Sequence, residues 1–277
     1  MKAKTEIRHA LISSITAFLS LGCCAGSLAQ ILESDRSRST AQPVPRTDVN
    51  SRRAHEQLVE KAKKGGIDVY FVGDSITRRW GCADRQYRSL LENWHTNFFG
   101  WNAADFGWGA DRIENILWRL ENGELDGVKP KVIVIQAGIN NIGRQPADAE
   151  KIADITLGLK TLLNLCRTKA PDATVILTAI FPRSDAPAVL PTVHQINLDL
   201  ASLADGKKVR FVNINPKLLD ENGKVLAGML NSDGLHPTVK TYQIWADALK
   251  PIFMELLGPP AKTDHAPPPT ADPASEK

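Results

Sequence analysis

The chain has 277 residues, of which 43% are hydrophobic and 23% are charged, and its formal net charge is +3. The apolar share is enough for a packed core and excludes a wholly disordered chain. A net charge of +3 from 34 basic and 31 acidic residues excludes a protein that binds nucleic acid through a strongly basic surface.

The N-terminus has the pattern of a secretory signal peptide. Basic residues precede an apolar stretch from Ala10 to Gly26, and small residues stand three and one positions before Gln30. We therefore predict a signal peptide over residues 1–29 and a secreted or periplasmic protein. A lipoprotein anchor at Cys23 is the less favoured alternative. No later segment reaches membrane-spanning length, so we predict no stable membrane insertion after cleavage.

The composition of both flanks predicts linkers around one domain. Residues 30–53 are rich in Ser, Arg and Pro without an apolar period, and residues 258–277 contain six prolines. We predict that both segments are disordered and that residues 54–257 form a single domain. Cleavage would leave a net charge of about +1 and two cysteines, Cys82 and Cys166. We favour unpaired thiols over a disulfide between them.

Short apolar runs alternate with helical patterns across the predicted domain. Runs that are apolar on both faces are typical of parallel strands covered on both sides. The alternation predicts an α/β fold, a three-layer α/β/α sandwich with a roughly five-stranded parallel sheet. The predicted strands are 68–73, 103–106, 131–136, 174–179 and 209–213. The predicted helices are 113–120, 152–166, 190–203 and 241–257.

Candidate site segments follow three of these strands. Parallel sheets bind their ligands beyond the carboxyl ends of the strands, which is where these segments begin. The first strand leads into Gly73-Asp74-Ser75, which can expose a serine hydroxyl, although Thr77 stands where a G-x-S-x-G elbow needs glycine. The second leads into a loop at 107–112, whose backbone N–H groups can bind an anion. The third is followed by Asn140, whose amide can donate to a developing oxyanion or form an Asx turn.

A fourth segment, Asp233-Gly234-Leu235-His236-Pro237, precedes the last predicted helix. Asp233 and His236 are three residues apart and can meet within one turn. Serine-dependent acyl transfer needs a nucleophile, a base, a group that orients the base, and oxyanion donors. The chain offers one candidate for each of these roles.

These four segments, in this order, resemble the four blocks of the SGNH (GDSL-type) hydrolases. The similarity extends over residues 68–257. The branch of the catalytic subunits of platelet-activating-factor acetylhydrolase is similar in further stretches, 105–111, 117–125 and 129–134. The resemblance implies a flavodoxin-like fold and a serine ester hydrolase, which the predicted signal peptide makes a secreted one. We predict no cofactor. The resemblance also implies that dimers can form.

Carried over position by position, the resemblance implies that Ser75 is the nucleophile, His236 the base and Asp233 the group that supports His236. It implies an oxyanion hole formed by the Ser75 N–H, the Asn140 side chain, and the N–H of either Gly109 or Ala110. The close branch has glycine where Ala110 stands, so this alanine is strained if its φ is positive. Many relatives also have asparagine where this chain has Asp105.

The expected substrate is a small acyl ester, first an O-acetyl group of a carbohydrate. Asp74, Trp80 and Trp108 are candidate substrate-binding residues, because the tryptophans flank the site segments and aromatic faces can stack on sugars. Alternative functions are a lysophospholipase or thioesterase, and a catalytically silent glycan-binding domain. A metal-dependent deacetylase is disfavoured, because Val59 stands where a zinc motif starting at His55 would need histidine. We predict no metal site.

Overall fold

A computed structural model of the protein describes residues 39–275. The predicted signal peptide, the alternative anchor at Cys23, and residues 30–38 of the predicted linker lie outside the described residues. From Thr40 onward the chain forms one compact unit.

Five parallel strands form one sheet in the order β2-β1-β3-β4-β5. This is the flavodoxin-like order, so the predicted fold is confirmed. The strands are β1 (Val69–Gly73), β2 (Ala103–Gly107), β3 (Val132–Gln136), β4 (Thr174–Thr178) and β5 (Val209–Val212). The first four are buried along their whole length, as the continuous apolar runs of β1, β3 and β4 predict.

Eight α-helices connect and flank the described strands. In chain order the helices are α1 (Val49–Lys63), α2 (Ser75–Gly81), α3 (Arg88–Phe98), α4 (Ile113–Arg119), α5 (Ile139–Ile142), α6 (Ala149–Lys169), α7 (Leu190–Ser202) and α8 (Val239–Leu257). A π-helical turn, Leu120–Glu124, extends α4.

Adjacent residues of β1 pack against opposite helical layers, because successive strand side chains point to opposite faces. Phe71 packs against Trp94 of α3 and Trp245 of α8, with ring centroids 4.7 and 6.3 Å away. On the other face, Tyr70 stacks on Phe106 at 4.1 Å, and its hydroxyl donates to the Glu124 carbonyl. The core is therefore built on both faces of the sheet.

The predicted N-terminal linker is wrong for its described part. Residues 49–53 belong to α1, whose N-cap Asp48 accepts a hydrogen bond from the Ser51 N–H. The preceding residues are also tied to the domain, since the Thr40 hydroxyl donates to the Asp154 carbonyl. Backbone and side-chain polar groups of this segment are satisfied by the domain surface, which a composition rule cannot register.

The proline-rich C-terminal segment is likewise packed along the domain over residues 258–275. The Ala261 N–H donates to the Gly100 carbonyl at 2.9 Å, and the Asp264 carboxylate accepts the Gly100 N–H at 2.7 Å. Farther along, the Asp272 N–H donates to Asp84. Prolines leave few backbone donors to satisfy, and the donors between them bond to domain loops, so this segment is ordered rather than the disordered tail expected from its composition.

Candidate active site

Three strands end side by side at the position where the site is expected. In the sheet register, Gly73 at the end of β1 pairs with Gly107 of β2 and with Gln136 of β3. β1 is also where the strand order reverses, which opens a crevice beyond the carboxyl ends of the strands. The segments that start with Ser75 and Asn140 both enter this crevice.

Tight packing around Gly73 determines where Ser75 lies. A Cβ on Gly73 would lie 2.2 Å from both the Gln136 carbonyl oxygen and the Thr77 hydroxyl, so no larger residue fits without a shift. Ser75 is the first residue of α2, and Asp74 caps this helix by accepting the Ile76 N–H at 2.8 Å. The chain turns from strand to helix within two residues and leaves Ser75 partly exposed.

Ser75, His236 and Asp233 form a continuous hydrogen-bonded chain. The Ser75 Oγ lies 2.9 Å from His236 Nε2, and His236 Nδ1 lies 2.7 Å from Asp233 Oδ2. With a carboxylate facing Nδ1, this nitrogen carries the proton and Nε2 accepts from the serine hydroxyl. The other Asp233 oxygen accepts the N–H groups of Leu235 and His236 at 3.0 and 2.9 Å.

The turn that carries His236 needs glycine at position 234. Gly234 has a φ of +68°, and a Cβ there would lie 2.8 Å from the Asp185 nitrogen. Its carbonyl accepts the N–H of Ser184, from the loop after β4, at 2.7 Å. This docking brings His236 to Ser75 across 161 residues of sequence.

Charges at this site favour an ionised Asp233 and a neutral His236. Burial opposes the charge on Asp233, but the N–H groups of His236 and Leu235 and the imidazole outweigh it and hold its pKa well below the usual range. The pKa of His236 is lowered from 6.5, first by burial and then by the positive charge of Arg79. A neutral imidazole can accept a proton, as a general base must.

Arg79 is a site residue that the sequence interpretation missed. It lies one helical turn after Ser75, and its Nη1 is 3.3 Å from Asp233 Oδ2, the oxygen that also contacts His236. Its guanidinium stacks over the Tyr87 ring. The only sequence signal is its i+4 spacing from Ser75 on a helix, which places both residues on one face.

The loop after β2 offers unpaired N–H donors beside a strained residue. Among the described residues, no protein acceptor takes the N–H of Gly109 or Ala110. Ala110 has a φ of +60°, so the strain expected for a positive φ is present, whereas a Cβ on Gly109 would meet no atom within 4 Å. The Asn140 Nδ2 donates to the Asp111 carbonyl at 2.8 Å, which leaves its second N–H available.

We expect Ala110→Gly to stabilise the protein by about 1 kcal/mol, because glycine adopts a positive φ without the Cβ penalty. The melting temperature should rise by about 2–4 °C for a domain of this size. The matched control is Ala153→Gly, at an exposed position of α6, which should lower stability by about 0.5–1 kcal/mol. A lower melting temperature for Ala110→Gly in thermal unfolding would contradict the assigned strain.

Buried ion pairs hold this loop against the domain core. Arg119 Nε donates to Asp111 Oδ2 at 2.7 Å, and the same guanidinium contacts the Glu124 carboxylate and the Phe106 carbonyl. All three charged side chains are almost fully buried. Burial raises the pKa of Asp111 to about 6, although Arg119 acts in the opposite direction. Because breaking such a pair leaves an uncompensated buried charge, the network holds Asp111 in place.

The three predicted substrate-binding residues are buried and do not line the site surface, so that prediction is wrong. Trp80 is fully buried and stacks on Tyr242 and Trp245 at 4.9 Å. Trp108 is 7% exposed, and its indole N–H donates to the Ser51 hydroxyl. Asp74 is fully buried as the cap of α2, and burial raises its pKa to about 7. Core packing occupies the two tryptophans, and capping of α2 uses one carboxylate oxygen of Asp74.

Neither cysteines nor metal ligands add to the site. Cys82 and Cys166 are free buried thiols, and burial raises the pKa of each to about 12, which leaves both unreactive. Within residues 39–275, no group of three or more His, Cys, Asp or Glu side chains is arranged to hold a metal ion.

Comparison with known proteins places these residues in a family context. The family model described as the GDSL-like lipase/acylhydrolase family matches residues 71–244. The human platelet-activating factor acetylhydrolase IB subunit alpha2 is 33% identical over 213 residues, which cover 73% of this chain and 83% of the relative. Human subunit alpha1 is 30% identical over 230 residues, which cover 81% of this chain and 93% of the relative. The structure of a GDSL-like lipase from Bacteroides thetaiotaomicron superposes with a TM-score of 0.58 at 21% identity, covering 74% and 98% of the two chains.

Proposed function

The chain belongs to the GDSL-like lipase/acylhydrolase family, and on this premise we propose that it is a serine esterase that cleaves acetyl esters. The resemblance to SGNH hydrolases is thereby confirmed. The observation that carries the proposal is the chain of hydrogen bonds from Ser75 through His236 to Asp233. A catalytically silent glycan-binding domain has no need for this alignment.

In the proposed reaction, the Ser75 oxygen attacks the ester carbonyl carbon while His236 Nε2 takes the hydroxyl proton. Asp233 keeps the His236 proton on Nδ1 and stabilises the imidazolium that forms. The carbonyl oxygen becomes negative and is stabilised by the Ser75 N–H, the Asn140 amide and an N–H of the 107–111 loop. His236 then protonates the leaving alcohol, and water hydrolyses the acyl-enzyme by the same steps.

The acyl group proposed for the substrate is acetyl. Support comes from the names of the relatives, which are acetylhydrolase subunits sharing about a third of their residues with this chain. The alternative of a lysophospholipase or thioesterase calls for longer acyl chains. Activity on nitrophenyl esters that increases from acetate to decanoate would favour that alternative and contradict the acetyl proposal.

Two candidates for the alcohol are a carbohydrate hydroxyl and a lipid glycerol hydroxyl. Predicted export supports the carbohydrate ester, whereas Trp80 and Trp108 do not, because both tryptophans are buried. A lipid alcohol is favoured by the platelet-activating-factor relatives. Initial rates on acetylated xylan, acetylated monosaccharides and a short acetylated ether lipid, with Ser75→Ala as control, separate the two.

The proposal of a serine enzyme is tested directly with a fluorophosphonate probe. The probe should modify the protein at Ser75, identified by peptide mass spectrometry, and a chelator should leave the rate unchanged. Absence of labelling, together with absence of ester hydrolysis, would refute a serine esterase. A labelled protein that hydrolyses no acetyl ester would refute only the substrate.

We expect Arg79→Gln to move the acid limb of kcat/KM to higher pH. The base works when neutral, so activity is present above the pKa of His236 and lost as pH falls through it. The charged groups acting on His236 are Arg79, Asp233 and Arg183, and removing the Arg79 charge raises this pKa. Arg79→Lys should retain the wild-type limb, as should the exposed Arg53→Gln. An unchanged limb in Arg79→Gln, measured from pH 4 to 8, would contradict this.

Export and dimer formation remain proposals from the sequence. Residues 1–29 would direct the protein to the periplasm or the exterior, and comparison of the secreted and retained fractions of expressing cells tests this. Every helix within residues 39–275 is too short or too polar to span a bilayer.

A further inference from the structure

The N-terminal segment before α1 reaches the loop proposed to bind the oxyanion. Arg46 lies in this segment, and its Nη1 donates to the Gly109 carbonyl at 3.1 Å and contacts Asp111 Oδ1 at 3.4 Å. Its Nη2 lies 3.1 Å from the carboxylate of Asp48, the N-cap of α1. One guanidinium therefore joins the start of a helix to the middle of the 107–111 loop.

The Gly109 carbonyl and the Ala110 N–H belong to one peptide group. A trans peptide is planar, and its C=O and N–H point in opposite directions. A donor that holds the carbonyl therefore determines the direction of the N–H. Ala110 has a φ of +60°, a conformation that alanine disfavours, so this peptide orientation needs contacts to maintain it.

We infer that Arg46 is a positioning residue, which holds the Gly109 carbonyl so that the Ala110 N–H is the loop donor to the oxyanion. This inference rests on the proposed esterase function, and it selects Ala110 over Gly109, which the sequence leaves undecided. The cationic hydrogen bond also polarises the peptide group and strengthens its N–H as a donor.

The second oxyanion donor is tied to the same contacts. Asp111 accepts Arg46 on one carboxylate oxygen and Arg119 on the other, and its carbonyl accepts the Asn140 amide. The two arginines thus hold the residue that orients Asn140. A shift of the loop on loss of Arg46 would move both donors.

Further contacts join α1 to the loop, and the segment before α1 to the helix α4 that follows the loop. The Trp108 indole donates to the Ser51 hydroxyl at 2.8 Å, and the Val44 N–H donates to the Glu114 carbonyl at 2.9 Å. This segment precedes residue 71, where the match to the family model begins. The positioning role therefore belongs to a part of the chain outside the residues that the family model matches.

The test compares Arg46→Gln and Arg46→Lys with two controls. Asp48→Asn removes the carboxylate partner of Arg46 but keeps a good N-cap, and Arg53→Gln removes an exposed arginine from α1. For nitrophenyl acetate, Arg46→Gln should lower kcat about tenfold to a hundredfold, below the full loss of one oxyanion donor, about 10²–10³. KM should change by less than about twofold, and Arg46→Lys should recover part of the rate.

A tetrahedral inhibitor separates positioning from stability. Because a boronic acid adduct on Ser75 occupies the oxyanion site, its inhibition constant should rise in Arg46→Gln by the same factor as kcat falls. Melting temperatures should match those of the controls. Wild-type kcat in Arg46→Gln, an equal loss in Asp48→Asn and Arg53→Gln, or a change confined to KM would overturn the inference and leave the esterase proposal standing. An inactive, unlabelled wild type would instead refute both.

Discussion

Replacing Ser75 or His236 by alanine is expected to lower kcat by about 10⁶, and the double variant should be no worse than either single one. The Ser75 Oγ and His236 Nε2 are 2.9 Å apart and act in the same proton transfer, so removing one makes the other useless. Groups that act as a unit show this non-additivity. Residual hydrolysis would come from the oxyanion donors and substrate binding.

The rates of all three variants would be measured with nitrophenyl acetate, and fluorophosphonate labelling would be followed in parallel. Ser202→Ala and His194→Ala are matched controls, because both residues are exposed on α7, and they should keep the wild-type rate. An additive loss in the double variant would show that Ser75 and His236 do not share one step. A His236→Ala variant within tenfold of wild type would remove His236 as the base.

Asp233→Asn should lower kcat by about 10³–10⁴ while the fold is retained. An amide in place of the carboxylate no longer accepts the Nδ1 proton with a full charge, and it favours the wrong tautomer of His236. The side chain of Asp233 is 41% exposed, so solvent compensates in part and the loss stays at or below the scale known for a buried aspartate. The negative charge facing Arg79 is lost as well.

The measurement for Asp233→Asn is kcat across pH 5 to 9, with the exposed Asp172→Asn as control. Circular dichroism establishes that both variants fold. A rate within tenfold of wild type at every pH would show that Asp233 does not support His236. Recovery only at high pH would instead point to a change in the titration of the base.

The predicted strands were recognisable mainly because continuous apolar runs appear in three of the five strands, β1, β3 and β4. Four of the described helices, α1, α2, α3 and α5, escaped prediction, and the two longest of them, α1 and α3, did so for an equally local reason. α1 buries Ala54, Leu58 and Ala62 together with a serine and Lys61, so its apolar period is weak. α3 follows a loop and buries Asn97 among its apolar residues. Both helices gain their stability from tertiary packing rather than from a strong amphipathic pattern.

The sequence by itself determined the parallel sheet, the family, and the identity of Ser75, His236 and Asp233 as the candidate catalytic residues. These depend on apolar runs and on residue types at strand ends, which are local properties of the chain. Only the tertiary structure decided that the described parts of both flanks are packed, that Trp80 and Trp108 are core residues, and that Arg46 and Arg79 reach the site. The physical reason is that burial and ion pairing join segments far apart in sequence, and a residue's neighbours along the chain do not specify them.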